Sequence, residues 1–173
     1  MEPSIDKPLT AQNGRRSGPS PLYTPEERAR RDASKWTLVQ GILAPVQFIV
    51  FLASLGLVIR FLLTGEGGNI ATISVVIKTL VLYLIMITGA IWEHDVYGRY
   101  LFAPAFFWED AFSMLVLALH TAYLLCIAFG WLSLEQQMWL ALAAYAAYVI
   151  NAAQFLIKFR QARIRPSDPE VGS

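Results

Sequence analysis

Charge is scarce in this chain. Only 16% of its 173 residues are Asp, Glu, Lys or Arg, while 55% are hydrophobic, which leaves too little polar surface for a soluble domain of this size. The sequence therefore reads as an integral membrane protein. A formal net charge of +1, with the basic residues gathered toward the two ends, gives no nucleic-acid-binding stripe. The single cysteine, Cys126, excludes an internal disulfide and a CxxC site; in an apolar run it reads as a small packing residue. HExxH, Cys/His metal spacing, a nucleophile elbow and GxGxxG are all missing, so neither a protein-bound metal centre nor a nucleotide cofactor is expected. The stretch from Met1 to Pro21 has no apolar core of a secretory signal. Rich in Pro, Ser, Gly and charge, residues 1–22 are expected to form a disordered tail.

What is present begins with Thr24-Pro25-Glu26-Glu27: an N-cap hydroxyl, a proline at the first helical position and a carboxylate able to return to the cap amide. This predicts a short basic helix over 23–35, lying on the membrane surface. Four apolar runs follow, Trp36 to Leu63, Ile70 to Trp92, Ala105 to Phe129 and Gln136 to Phe159. Each is long enough, at about 1.5 Å per residue, to cross roughly 30 Å of hydrocarbon. Pro45 is expected to kink the first run, and Thr64 to Asn69 reads as a tight turn rather than a phosphate loop, because the Lys-Ser/Thr ending is missing. The predicted fold is all-α: a polytopic four-transmembrane-helix bundle over residues 36–160, followed by a polar tail over 161–173. Lys and Arg fall in the N-terminal segment, the C-terminal tail and, as Arg99, the second link, whereas the other two links have none. Both termini are therefore expected in the cytoplasm. Arg60 and Lys78 oppose this pattern and are expected to snorkel toward an interface.

In this topology the polar residues of the four spans coincide in depth. Gln40 and Gln47 lie early in the first, Glu93 and His94 at the end of the second, Glu109, Asp110 and Ser113 early in the third, and Tyr148, Asn151 and Gln154 late in the fourth. The opposite half reads as mostly apolar, which argues against a proton pathway through the whole bilayer. Glu109, Ser113, Val116 and His120 share one helix face, but Glu109 and His120 are about 16 Å apart along it, too far for contact.

Each of these groups has an ordinary structural reading. Glu93, His94 and Asp95 can be a solvated helix end. Glu109 and Asp110 can simply meet the positive end of a helix. Gln47, Asn151 and Gln154 can be interhelical glue, and the tryptophans an aromatic belt. Against this, adjacent acids among Phe106, Phe107, Trp108 and Phe112 are costly in lipid and tend to be functional. They point to acid/base chemistry, or binding, on a hydrophobic compound.

Three runs are specific enough to name a family: YTPEERARRDASKWTLVQGILAPVQF, WEHDVYGRYLFAPAFFWEDAFSMLVLALHTAY and YVINAAQFLIKFRQAR. From Leu22 to Arg163 the chain resembles the 3-vinyl (in older ring numbering 2-vinyl) bacteriochlorophyllide hydratases of phototrophic bacteria. The resemblance implies a hydro-lyase that adds water to the 3-vinyl group of chlorophyllide a or bacteriochlorophyllide, giving the 3-(1-hydroxyethyl) side chain in bacteriochlorophyll a biosynthesis. It implies a multi-pass protein of the bacterial inner, or intracytoplasmic, membrane, in contact with lipid, with the pigment substrate and with other pigment-pathway enzymes. No nucleic acid partner is implied, and no cofactor is held by the protein itself, since the substrate carries its own magnesium. The competing reading is a non-enzymatic pigment-binding or photosystem-assembly protein, which would want the same aromatic pocket but has no need of an acid pair.

The implied reaction starts by protonating the terminal vinyl carbon and so needs an acid, then a base for the incoming water. Glu109 or Asp110 is the expected acid, and His94 the group that orients water or takes its proton. His120 or Asn151 can ligate the pigment magnesium, Arg99 can pair with the free propionate, and Tyr148 and Gln47 are expected to line the substrate slot. These roles rest on position and chemistry, because the family brings no assigned catalytic residues.

Overall fold

The computed structural model describes residues 22–164. The N-terminal tail and the C-terminal tail from residue 165 onward lie outside the described residues. Among the described residues five helices follow one another: α1 (Pro25–Ala33), α2 (Lys35–Thr64), α3 (Gly68–Tyr97), α4 (Phe107–Phe129) and α5 (Leu134–Ile164).

Local chemistry sets most of the boundaries. The Thr24 amide donates to Glu27 Oε2 at 2.8 Å and the Glu27 amide to Thr24 Oγ1 at 3.2 Å, the reciprocal pair that starts α1. Ser34 closes α1 and opens α2, its hydroxyl accepting from the Trp36 amide at 3.3 Å. Helix α2 runs through Pro45 as one element. Its turn into α3 uses Gly65 and Gly67, at φ 73° and 79°, a region that costs glycine little. At Gly68 a Cβ would meet Leu134 Cδ2 at 2.6 Å, so the start of α5 packs directly on this link. Helix α3 continues a turn past Trp92, because Glu93 and Val96 also find buried places.

Helices α2 to α5 are long and apolar enough to cross a membrane. Their outward faces carry Leu38, Ile49, Leu63, Ile73 and Leu156, all well exposed, as a lipid-facing surface requires. Antiparallel α2 and α3 form one hairpin, α4 and α5 a second, and the hairpins meet along α2–α5 and α3–α4. Between them lies an apolar core that includes Phe51, Val58, Val75, Leu82, Val116, Met138 and Tyr145. A smaller cluster of Tyr23, Trp92, Val96 and Phe106 closes the end where α1 begins and α5 finishes, the terminal end. There the Tyr23 ring stacks on Tyr97 at 5.9 Å, Ser34 Oγ donates to Asp95 Oδ2 at 2.8 Å, and Trp92 Nε1 donates to Thr37 Oγ1 at 2.9 Å. These contacts hold α1 and the start of α2 against the end of α3.

The expectation that Lys78 snorkels is overturned. Arg60, close to the end of α2, does reach the link and sits 3.5 Å from Glu66. Lys78 is too far in: ten residues from the start of α3 is about 15 Å of helix, beyond the reach of a lysine stem. Its side chain is 0% exposed. Nζ lies 2.9 Å from His120 Nε2 and over the rings of Tyr148 and Tyr145, at 4.1 and 5.5 Å. Nearby, Ser54 Oγ bridges Ser74 Oγ at 2.7 Å and the Tyr145 hydroxyl at 2.6 Å. The half of the bundle away from the terminal end is therefore less apolar than its sequence reads, because four scattered polar residues of three helices and two tyrosines converge on one core.

Candidate active site

Helix α4 begins at Phe107, and successive helical positions diverge by about 100°. Glu109 and Asp110, neighbours in sequence, consequently face different helices. Asp110 turns to α3, where its carboxyl lies against that of Glu93. Two consecutive backbone amides reinforce the pair: Phe102 N–H donates to Asp110 Oδ2 at 2.7 Å and Ala103 N–H to Glu93 Oε2 at 3.4 Å. Phe102 adopts φ 59°, a left-handed conformation that costs a bulky residue about 1 kcal/mol or more, and this aims the amides at the acids. Both carboxyls are buried. Two carboxyl groups can hydrogen-bond to one another only when one carries a proton.

Glu109 turns to α5, where Lys158 Nζ donates to its Oε2 at 2.6 Å while sitting 5.0 Å from the centre of the Phe106 ring. Beside this ion pair opens a pocket of about 230 Å³, walled by Glu109, Gln154, Ile157, Lys158 and Gln161. One turn further in, Asn151 Nδ2 donates to Ser113 Oγ at 2.8 Å. Asn151 Oδ1 and Gln154 Oε1 find no partner among the described residues, and neither polar atom of the Gln47 amide does. Gln40, on the same stripe of α2, is satisfied by donating to Thr88 Oγ1 at 2.7 Å.

The other residues singled out from the sequence lie apart from this group. His94 and Arg99 are exposed, and the His94 ring stacks on Tyr100 at 4.3 Å. His120 has both nitrogens engaged: Nδ1 lies 2.8 Å from the Val116 carbonyl, which can only accept, so Nε2 is the acceptor for Lys78. Ligating a magnesium would require His120 to give up Lys78, whereas Asn151 retains a free Oδ1. Tyr148 lies over Lys78 and packs on Phe51 at 5.0 Å. Among the described residues no three His, Cys, Asp or Glu side chains gather as a metal site.

The family described as 2-vinyl bacteriochlorophyllide hydratase matches residues 23–161. This chain belongs to that family. A relative named 2-vinyl bacteriochlorophyllide hydratase, from Rhodobacter capsulatus, is 61% identical over 166 residues, which cover 96% of this chain and 95% of the relative. A second of the same name, from Cereibacter sphaeroides, is 66% identical over 143 residues, covering 83% of this chain and 89% of that one. No solved structure gives a significant match. The hydratase match contains every residue of the acid pair, the ion pair and the amide group.

Reading the sequence alone misses four members of this site. Glu93 reads equally well as a solvated helix end, and its burial depends on how the link folds back. Lys158 shares a helix face with Tyr148 and Asn151, which is a usable signal, but its pairing with Glu109 needs α4 and α5 side by side. The amides of Phe102 and Ala103 leave no mark in a sequence at all.

Proposed function

We propose that this chain is a hydro-lyase that adds water to the vinyl group of a bacteriochlorophyllide, with Asp110 and Glu93 as its proton source. Membership of the hydratase family supports the reaction; the facing carboxyls support the assignment of the acid. A proton shared between them goes to the terminal vinyl carbon, leaving a cation on the inner carbon that the macrocycle delocalises. Water attacks that carbon, and its surplus proton returns to the carboxyl pair, with exposed His94 exchanging protons between the pair and solvent. General acid catalysis of this kind contributes about a hundredfold to ten-thousandfold.

Glu109 with Lys158 lines the pocket through which a polar edge of the pigment would enter, and Arg99 at the boundary suits its free propionate. The distribution of Lys and Arg supports a terminal end on the cytoplasmic side of a bacterial inner membrane, where lipid and the neighbouring pigment enzymes would be its partners. The test is to incubate the purified full chain with 3-vinyl chlorophyllide. Gain of one water, with the absorbance shift of a vinyl group leaving conjugation, is expected. Pigment binding with no conversion would replace this reading by a carrier.

A further inference from the structure

Hydration consumes a water molecule inside a lipid-facing bundle, and the acid pair does not account for where that water sits. The most conspicuous unspent polarity nearby is Gln47. It is 2% exposed, yet neither its Oε1 nor its Nε2 has a partner among the described residues. Leaving such an amide empty-handed costs about 1–3 kcal/mol, and the neighbouring Gln40 shows that the same stripe of α2 can satisfy one.

The depth of Gln47 follows from its surroundings. Phe51 packs on Tyr148 at 5.0 Å, which sets the level at which α2 meets α5. Gln47 lies four residues before Phe51, and Asn151 three after Tyr148. The two helices are antiparallel, so both residues lie one turn from that contact toward the terminal end. Asn151 is fixed there by donating to Ser113 Oγ at 2.8 Å, and it too has an unpartnered atom, the carbonyl Oδ1. Ser113 is one turn, about 5 Å, inside Glu109 and Asp110. Gln154, whose Oε1 is also unpartnered, walls the pocket at Glu109 and Lys158 one turn above Asn151.

We infer that Gln47 and Asn151 hold the water molecule that attacks the vinyl group, admitted past Gln154 from the pocket beside Glu109 and Lys158. The two amide carbonyls accept the water's two O–H bonds, which leaves a lone pair of its oxygen free to form the new C–O bond. The vinyl π electrons have by then formed the new C–H bond, and the proton lost by the attacking water goes back to the carboxylate that began the reaction. Water in a buried site needs two or more polar partners, and these amides supply them without adding charge. Both residues are positioning residues, acting on water rather than on the pigment.

The inference rests on the proposed hydratase reading and separates from it in heavy water. A cation that cannot capture water must lose a proton and return to the vinyl compound. A variant impaired only in holding water should therefore keep exchanging deuterium into the terminal vinyl carbon. The full-length chain in membranes is incubated with 3-vinyl chlorophyllide in D2O, and both the alcohol formed and the deuterium in recovered substrate are measured. For Gln47→Met and Asn151→Leu, alcohol formation is expected to fall about tenfold or more while vinyl deuteration stays at or above the wild-type level.

Gln47→Met is also expected to accumulate and melt no lower than wild type, since it removes an unpaired amide, so the test survives if Asn151→Leu fails to fold. Equal loss of alcohol and deuteration would overturn the inference, as would weakened pigment binding with normal turnover of bound pigment. If wild type forms no alcohol, the hydratase reading itself fails and this one falls with it.

Discussion

Two buried polar groups occupy this bundle, and they are built on opposite principles. Deep in the half away from the terminal end, Lys78 pairs with His120, Ser54 joins Ser74 and Tyr145, and His120 passes its remaining hydrogen to the Val116 carbonyl. In this group only the adjacent Tyr123 hydroxyl goes without a partner among the described residues. Near the terminal end the arrangement is open. Two carboxyls face each other, a third meets a lysine beside a pocket, and the Gln47, Asn151 and Gln154 amides keep atoms unspent. Closed networks rigidify a bundle and fix which helices meet. Unspent polarity at a site with acids is what a reaction needs, because a substrate and a water must find partners there.

The comparison breaks most easily at the acids. Asp110→Asn and Glu93→Gln should each lower conversion of 3-vinyl chlorophyllide by about a hundredfold or more, with protein in the membrane at normal levels. Wild-type turnover in both would remove the distinction between the two groups. Next comes Lys78→Met, which leaves His120 Nε2 buried without its donor. It should destabilise the detergent-solubilised protein by about 1–3 kcal/mol, seen as a lower melting temperature, while turnover per folded molecule stays within about threefold. Adding His120→Leu should recover most of that loss, since replacing both partners of a buried polar pair is far milder than removing one. A collapse of turnover in a folded Lys78→Met protein would move the chemistry to the deep group.

Lys158→Met tests the edge of the site. Glu109 then stands buried beside the pocket with no counter-ion, and the expected result is a weaker apparent affinity for pigment, a KM raised about threefold to tenfold, with kcat changed less. Smallest of all is His94→Phe. With its ring exposed against Tyr100, it should cost less than about tenfold in turnover at neutral pH, because solvent can replace a group that only exchanges protons with it.

Several of these residues are conspicuous in the amino-acid sequence. Glu109 and Asp110 are carboxylates in an apolar run, and helix spacing with the four-span topology is enough to bring Gln47, Asn151 and Ser113 to one depth. Their partners are not legible there. Neighbouring positions on one helix diverge by about 100°, so which acid meets Glu93 and which meets Lys158 depends on what stands on either side of α4. Gln40 and Gln47 share a stripe, yet only the packed bundle decides that one meets Thr88 and that the other finds no partner among the described residues. Lys78 is a visible anomaly in its span, and snorkelling is the cheapest local remedy for it. A core of tyrosines and a histidine from other helices offers a different one.

The class of molecule follows from the order of residues alone: four apolar runs of membrane-crossing length, a capped helix ahead of them and a family likeness spread over long runs. These properties are additive along the chain, since span length, hydropathy and caps depend on neighbours in sequence. The pairs, Glu93 with Asp110, Glu109 with Lys158 and Lys78 with His120, and the identity of the amides left over, come only from the packed bundle. Each pair needs two helices at a particular rotation and depth. Those are fixed by packing across the bundle and by one strained residue, Phe102, in the link between α3 and α4.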